Sequence, residues 1–125
     1  MSKRKLVAPA GSTARAVAAL RVKFDFRYVT RDSKKAYERS DKKASIDAKL
    51  KEYGYLTFKE FRQHGGVRFK YVKHTRPPIT KPPNLSSDIS PLLYSFRISG
   101  KIRIFGYTKD NSFFVRVIDL NHTRT

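Results

Sequence analysis

In the stretch "YSFRISGKIRIFGYTKDNSFFVRVID", residues 94–119, arginines and a lysine alternate with apolar residues. Paired as antiparallel strands, the segment gathers Tyr94, Phe96, Ile98, Ile102, Ile104, Phe113, Val115 and Val117 on one face, which reads as core. The opposite face collects Ser95, Arg97, Lys101, Arg103, Phe105, Tyr107, Phe114 and Arg116. Guanidinium and ammonium groups neutralise a phosphate backbone and aromatic rings hold unstacked bases, so this mixture suits single-stranded RNA. The same residues admit a plainer arrangement, in which the cations solvate an open sheet while Phe105, Phe114 and Ile118 pack beneath the N-terminal arm or a helix.

Bulk charge favours the first arrangement. Lys and Arg number 28 against 10 Asp and Glu, a formal charge of +18, which exceeds what solubility requires and points to a polyanionic partner. Nucleic acid fits best; an acidic protein or an anionic membrane surface is the alternative. The chain has no cysteine, which removes disulfides and thiolate metal sites. His64, His74 and His122 lack a compact ligand spacing, so no zinc site and no other cofactor is expected. "HGGVRF" precedes a strand where a phosphate-cradling glycine loop would open a helix. Nothing supports a nucleophilic serine triad. No apolar run approaches the roughly 20 residues that span a bilayer, so a soluble, cytoplasmic protein is expected.

The elements that must position these groups are legible as patterns. With 125 residues and 39% hydrophobic content, including nine Phe and seven Tyr, the chain suits one compact domain. Residues 1–20 read as a basic flexible arm carrying Lys3, Arg4 and Lys5, although the acid-free start also resembles an organellar presequence. Residues 21–125 read as a single α+β domain. "RVKFDFRYV" alternates as a strand, with Val22, Phe24, Phe26 and Tyr28 on one face. A helix starting at Asp41, or as early as Ser33, carries Ile46, Leu50 and Tyr53 at helical spacing and stops at Gly54. Thr57 and Glu60 form a capping box, with Leu56 and Phe61 at the staple positions, so a short helix begins at Phe58 and ends before Gly65. "VRFKYVK" alternates again as a short strand. Four prolines within residues 77–83 make an extended connector. Three strands follow, near Leu92–Ile98, Lys101–Tyr107 and Phe113–Asp119, with turns at Ser99–Gly100 and "TKDN".

This order of an N-terminal strand and two helices packed on a twisted antiparallel sheet, with "NLSSDISPLLYSFRISGKIRIFGY" and the closing "VIDLNHTR", resembles the RelE/ParE toxin superfamily. The likeness covers about residues 84–124; the helical part matches in order only. It implies a RelE-like mRNA interferase, a ribosome-dependent endoribonuclease held inactive by an acidic antitoxin. By that resemblance Arg97 contacts the scissile phosphate, Arg103 stabilises the phosphorane charge, His122 is the general acid or base, and Asp88 lies near a carboxylate that some members use. Lys101, Tyr107, Arg116 and Arg124 would extend the RNA-facing surface, with the basic arm adding sequence-independent attraction. The chemistry requires a base for the 2′-OH, cations for the developing charge and an acid for the 5′ oxygen, but no metal. Here Thr123 follows His122, the connector is longer than in the family, and the arm is additional. Two rival expectations stand beside it: a non-catalytic RNA- or ribosome-binding protein, and a ParE-like inhibitor of a protein target.

Overall fold

A computed structural model describes residues 14–73 and 79–121. Lys3, Arg4 and Lys5 of the arm, His74 in the connector, and His122 and Arg124 lie outside the described residues. In chain order the elements are α1 (Ala14–Ala18), β1 (Lys23–Asp25), α2 (Arg31–Arg39), α3 (Lys43–Tyr53), α4 (Phe58–Gln63), β2 (Lys70–Val72), β3 (Leu93–Ser99), β4 (Ile102–Lys109) and β5 (Ser112–Asp119). The domain is α+β, and its five strands run β1-β5-β4-β3-β2 across one sheet. None of the described helices is long and apolar enough to cross a membrane.

The sheet is mixed, where the sequence suggested an antiparallel one. β2 to β5 are antiparallel to their neighbours, but β1 pairs parallel with β5, Lys23 opposite Ser112 and Asp25 opposite Phe114. The β4–β5 turn sets this direction. The Asn111 carbonyl accepts from the Lys23 N–H at 2.9 Å, and the Asn111 side-chain amide donates to the Arg21 carbonyl at 2.6 Å. β1 is also shorter than its alternating pattern. Asp25 accepts from the Arg27 N–H at 2.9 Å, closing a turn that ends the strand and carries Tyr28 to the opposite side of the sheet.

The long charged helix divides at Ser40, whose backbone is extended and whose hydroxyl accepts from the Lys42 N–H at 2.9 Å. α2 is capped by Thr30, with Oγ1 accepting from the Ser33 N–H, so its start precedes both sequence candidates. At α4 the reciprocal box forms as the sequence requires: Glu60 N–H to Thr57 Oγ1 at 3.1 Å, Thr57 N–H to Glu60 Oε1 at 2.8 Å. α1 falls inside the stretch expected as a flexible arm; there Val17 packs against the core.

Both sheet faces are covered, which explains strands as continuously apolar as "IRIFGY". On the first face Ile46, Leu50 and Tyr53 of α3 and Phe58 and Phe61 of α4 pack on Phe96, Ile98, Ile104, Phe113 and Val115. Four aromatic rings meet at its centre: Phe61 and Phe113 lie 5.1 Å and 4.9 Å from Phe96, both edge-on, and Phe24 lies 5.5 Å from it. On the second face the connector doubles back, so that Ile79 and Ile89 cover Leu93, Phe105, Tyr107, Phe114 and Val117 together with Tyr28. Val117 was expected beside Val115. A bulge separates them, because Phe105 pairs with Val117 while Gly106 pairs with Val115; the extra residue Arg116 shifts the alternation by one.

Candidate nucleic-acid interface

The second core occupies only part of its face. Beyond it, where β3 ends and β4 begins, Arg97 stands directly opposite Arg103, and Arg103 stands opposite Asp119 at the end of β5. Strand register thus joins two residues singled out by sequence with a carboxylate that sequence reasoning missed. Asp119 is only 5% exposed, and its Oδ1 accepts from the Asn121 N–H at 3.2 Å.

Each arginine is fixed by its backbone surroundings. The Arg97 N–H donates to the Val67 carbonyl at 2.6 Å, and the Arg97 carbonyl accepts from the Tyr53 hydroxyl at 2.8 Å, so α3 and the segment before β2 both hold this point of β3. Arg97 Nε is buried and has no hydrogen-bond partner. Arg103 turns one guanidinium nitrogen back on the β3–β4 turn, donating to the carbonyls of Gly100 at 2.7 Å and Ile102 at 3.2 Å. Its pKa is lowered, first by burial and then by the charges of Arg97 and Arg68, against an opposing pull from Asp119. The charges of Arg97 and Arg68 thus both reach Arg103 at this end of the sheet. Arg68 lies in "VRFKYVK", a stretch the sequence marks only as a short alternating strand. Its approach depends on the long-range bond between Val67 and Arg97, which no local pattern announces.

Lys101 is exposed at the turn and lines a cleft of about 260 Å³ with Lys42, Ser99, Gly100 and Asn121. The next residue in the sequence after Asn121 is His122. Ile102 and Leu120, which also line this cleft, belong to the first core, so the cleft opens on the helix side of the sheet end that carries the arginine pair on its other face; both places are cationic, and charge of this kind can neutralise phosphates.

The other residues expected on an RNA-facing surface are placed differently. Tyr107 is fully buried, with its phenol pKa raised by burial against the lowering charge of Arg116, and Phe105 and Phe114 lie in the same core. The connector is the physical reason: Ile79 and Ile89 need an apolar surface, and these rings supply it. Arg116 is a structural clamp. Its Nε donates to the Thr80 carbonyl at 2.8 Å, one terminal nitrogen to Thr80 Oγ1 at 3.1 Å and the other to the Tyr28 carbonyl at 3.0 Å. Asp88 is exposed and engages the Ser86 hydroxyl and, at 3.5 Å, Lys109. Lys109 is six residues along β4 from Arg103, about 20 Å, so Asp88 does not join the arginines.

The Arg116 clamp makes a testable statement about stability. Arg116→Ala should cost about 2 kcal/mol in denaturant unfolding, because the carbonyls of Thr80 and Tyr28 lose their donors together. Arg116→Lys should recover little, since one ammonium cannot reproduce a planar fork. Equal stability of both variants and the parent would mean that the connector holds without the clamp. No protein-family model, curated protein or solved structure matches this chain.

Proposed function

We propose that this protein binds single-stranded RNA at the arginine end of its sheet and acts there as a RelE-like mRNA interferase, with the ribosome supplying the context in which message is cut. The observation that carries the reading is the row Arg97–Arg103 at the same end of the sheet as the cleft of Lys42 and Lys101, on a chain with a formal charge of +18. In this scheme Arg97 and Arg103 hold the scissile phosphate and absorb its developing negative charge. His122, one residue past the cleft-lining Asn121, moves the proton between the 2′-OH or the departing 5′ oxygen and solvent. Asp88 and Tyr107 have no part in it. An acidic antitoxin would complement the same cationic end.

Buried rings favour a second reading, an RNA- or ribosome-binding module without catalysis, since phosphate contacts alone explain affinity on such a surface. Purified protein added to translating ribosomes separates the two. Codon-phased cuts that vanish in His122→Ala establish the nuclease. Salt-sensitive binding with intact message in both proteins establishes the module. Supercoiling defects without RNA binding would instead indicate a ParE-like protein target and remove both.

A further inference from the structure

Arg68 departs from what its position calls for. Its backbone lies at φ 51, the left-handed region, where a Cβ crowds the following carbonyl and glycine is the residue without penalty. The sequence places glycines two and three residues before it, at Gly66 and Gly65, yet fills this position with arginine. The chain cannot relax there without losing its neighbours: the Val67 carbonyl takes the Arg97 N–H at 2.6 Å, and Phe69 stacks on Tyr94 with ring centroids 4.9 Å apart. Strain of this kind persists only where the surrounding structure over-determines it, and it clusters at active sites and ligand clamps.

A second, independent observation concerns Arg97, whose Nε is buried without an acceptor. Donors in that condition are uncommon and call for an explanation, an absent ion or water among them. A third concerns charge. Among the described residues no salt bridge engages Arg68, Arg97 or Arg103, although the charges of Arg68 and Arg97 both act on Arg103. Like charges brought together by three separate segments, with the Asp119 carboxylate the one opposing charge acting on Arg103, describe a site that an added anion would neutralise.

We propose that Arg68, Arg97 and Arg103 form a three-guanidinium cradle for one phosphate group, with Arg68 the ligand that closes it. A tetrahedral phosphate presents enough oxygens to accept from several forks at once, and guanidinium geometry matches it. The inference deepens the RNA reading and rests on it for the identity of the ligand as nucleic acid; the anion site itself rests on the geometry. The phosphate is either a bridging phosphodiester or a terminal group, and the chemistry at the three arginines is shared.

The full-length protein is melted in sodium phosphate and in sodium chloride at matched ionic strength. Phosphate should raise the midpoint of the parent protein, since a ligand bound only by the folded state stabilises it. Arg68→Gly should melt higher than the parent in chloride, because left-handed strain is relieved, and should lose the phosphate-dependent rise. Arg68→Lys should keep part of it. A phosphate-dependent rise of equal size in Arg68→Gly and the parent, or none in the parent, overturns the cradle. In parallel, a short single-stranded RNA is titrated with either a 5′-hydroxyl or a 5′-phosphate end. Loss of about tenfold in affinity for both RNAs in Arg68→Gly identifies a bridging phosphate. Loss confined to the phosphorylated RNA identifies a terminal one, and no loss on either overturns the proposal. A parent protein that gains stability from phosphate yet binds neither RNA keeps the cradle and refutes the proposed function.

Discussion

Gly106→Ala is expected to destabilise the domain by about 3 kcal/mol or more, a large share of the roughly 5–15 kcal/mol that holds an ordinary domain folded. A Cβ at this position would sit 2.0 Å from the Phe114 carbonyl oxygen and 2.6 Å from Phe113 Cε1. Neither can retreat. The oxygen belongs to the backbone of β5, and the Phe113 ring is fully buried between Phe24, Phe69 and Phe96. The close approach is a product of the bulge, which packs an extra residue of β5 against β4 where Phe105 gives way to Gly106. Gly65→Ala is the control, since an added Cβ there meets nothing within 4 Å. Denaturant midpoints of both variants, read at unchanged slope, should separate widely. A Gly106→Ala midpoint matching that of the control would mean that the strands do not approach as described.

The bulge also marks the boundary of what the sequence makes legible. Alternation along "YSFRISGKIRIF" places Phe96, Ile98, Ile102 and Ile104 correctly on one face, because that pattern is local to each strand. It fails in β5 after Val115, since one extra residue at Arg116 moves Val117 to the second core and brings Ile118 to the first. The capping box at Thr57 is legible for the same reason that alternation is: both partners lie within one turn. The clamp from Arg116 to Thr80 and the cover of Ile79 and Ile89 over Tyr107 join residues far apart in sequence, and a proline-rich connector carries no periodicity that would predict which face it covers. The mistaken assignment of Tyr107 to an open surface follows from that. Arg97 and Arg103 were recognisable as residue types, but their direct opposition depends on a register that shifts between Arg97 and Ser99, and Arg68 depends on it in turn.

The two covered faces decide where a polyanion can dock. Apolar packing uses the middle of the second face up to Phe105 and Val117, and the cations are left in the row beyond, where β3 meets β4 and β5. A surface of this kind binds by counterion release, with affinity falling steeply as salt rises and with little discrimination among bases. Any selectivity for sequence must then come from elsewhere. It also means that single cations, not rings, are the informative sites for mutation.

Arg97→Met is the sharpest of these. The thioether chain preserves much of the aliphatic volume while removing the charge and the buried Nε that lacks an acceptor, so folding stability should hold or rise by about 1 kcal/mol. Affinity for single-stranded RNA should nevertheless fall roughly ten- to a hundredfold, the worth of a charged hydrogen bond to phosphate, and the slope of log affinity against log salt should shrink by about one contact. Cleavage on ribosomes should fall further, by roughly 10²–10³, if the guanidinium meets charge that develops only in the transition state. Arg103→Met provides the contrast. It should lose affinity too, but also about 1 kcal/mol of stability, because the Gly100 and Ile102 carbonyls lose their donor at the β3–β4 turn. Opposite signs in stability with a shared loss in binding are the signature of a residue kept for its ligand beside one that also braces the fold. An Arg97→Met protein that unfolds more easily and binds RNA as the parent does would show Arg97 to be a strut.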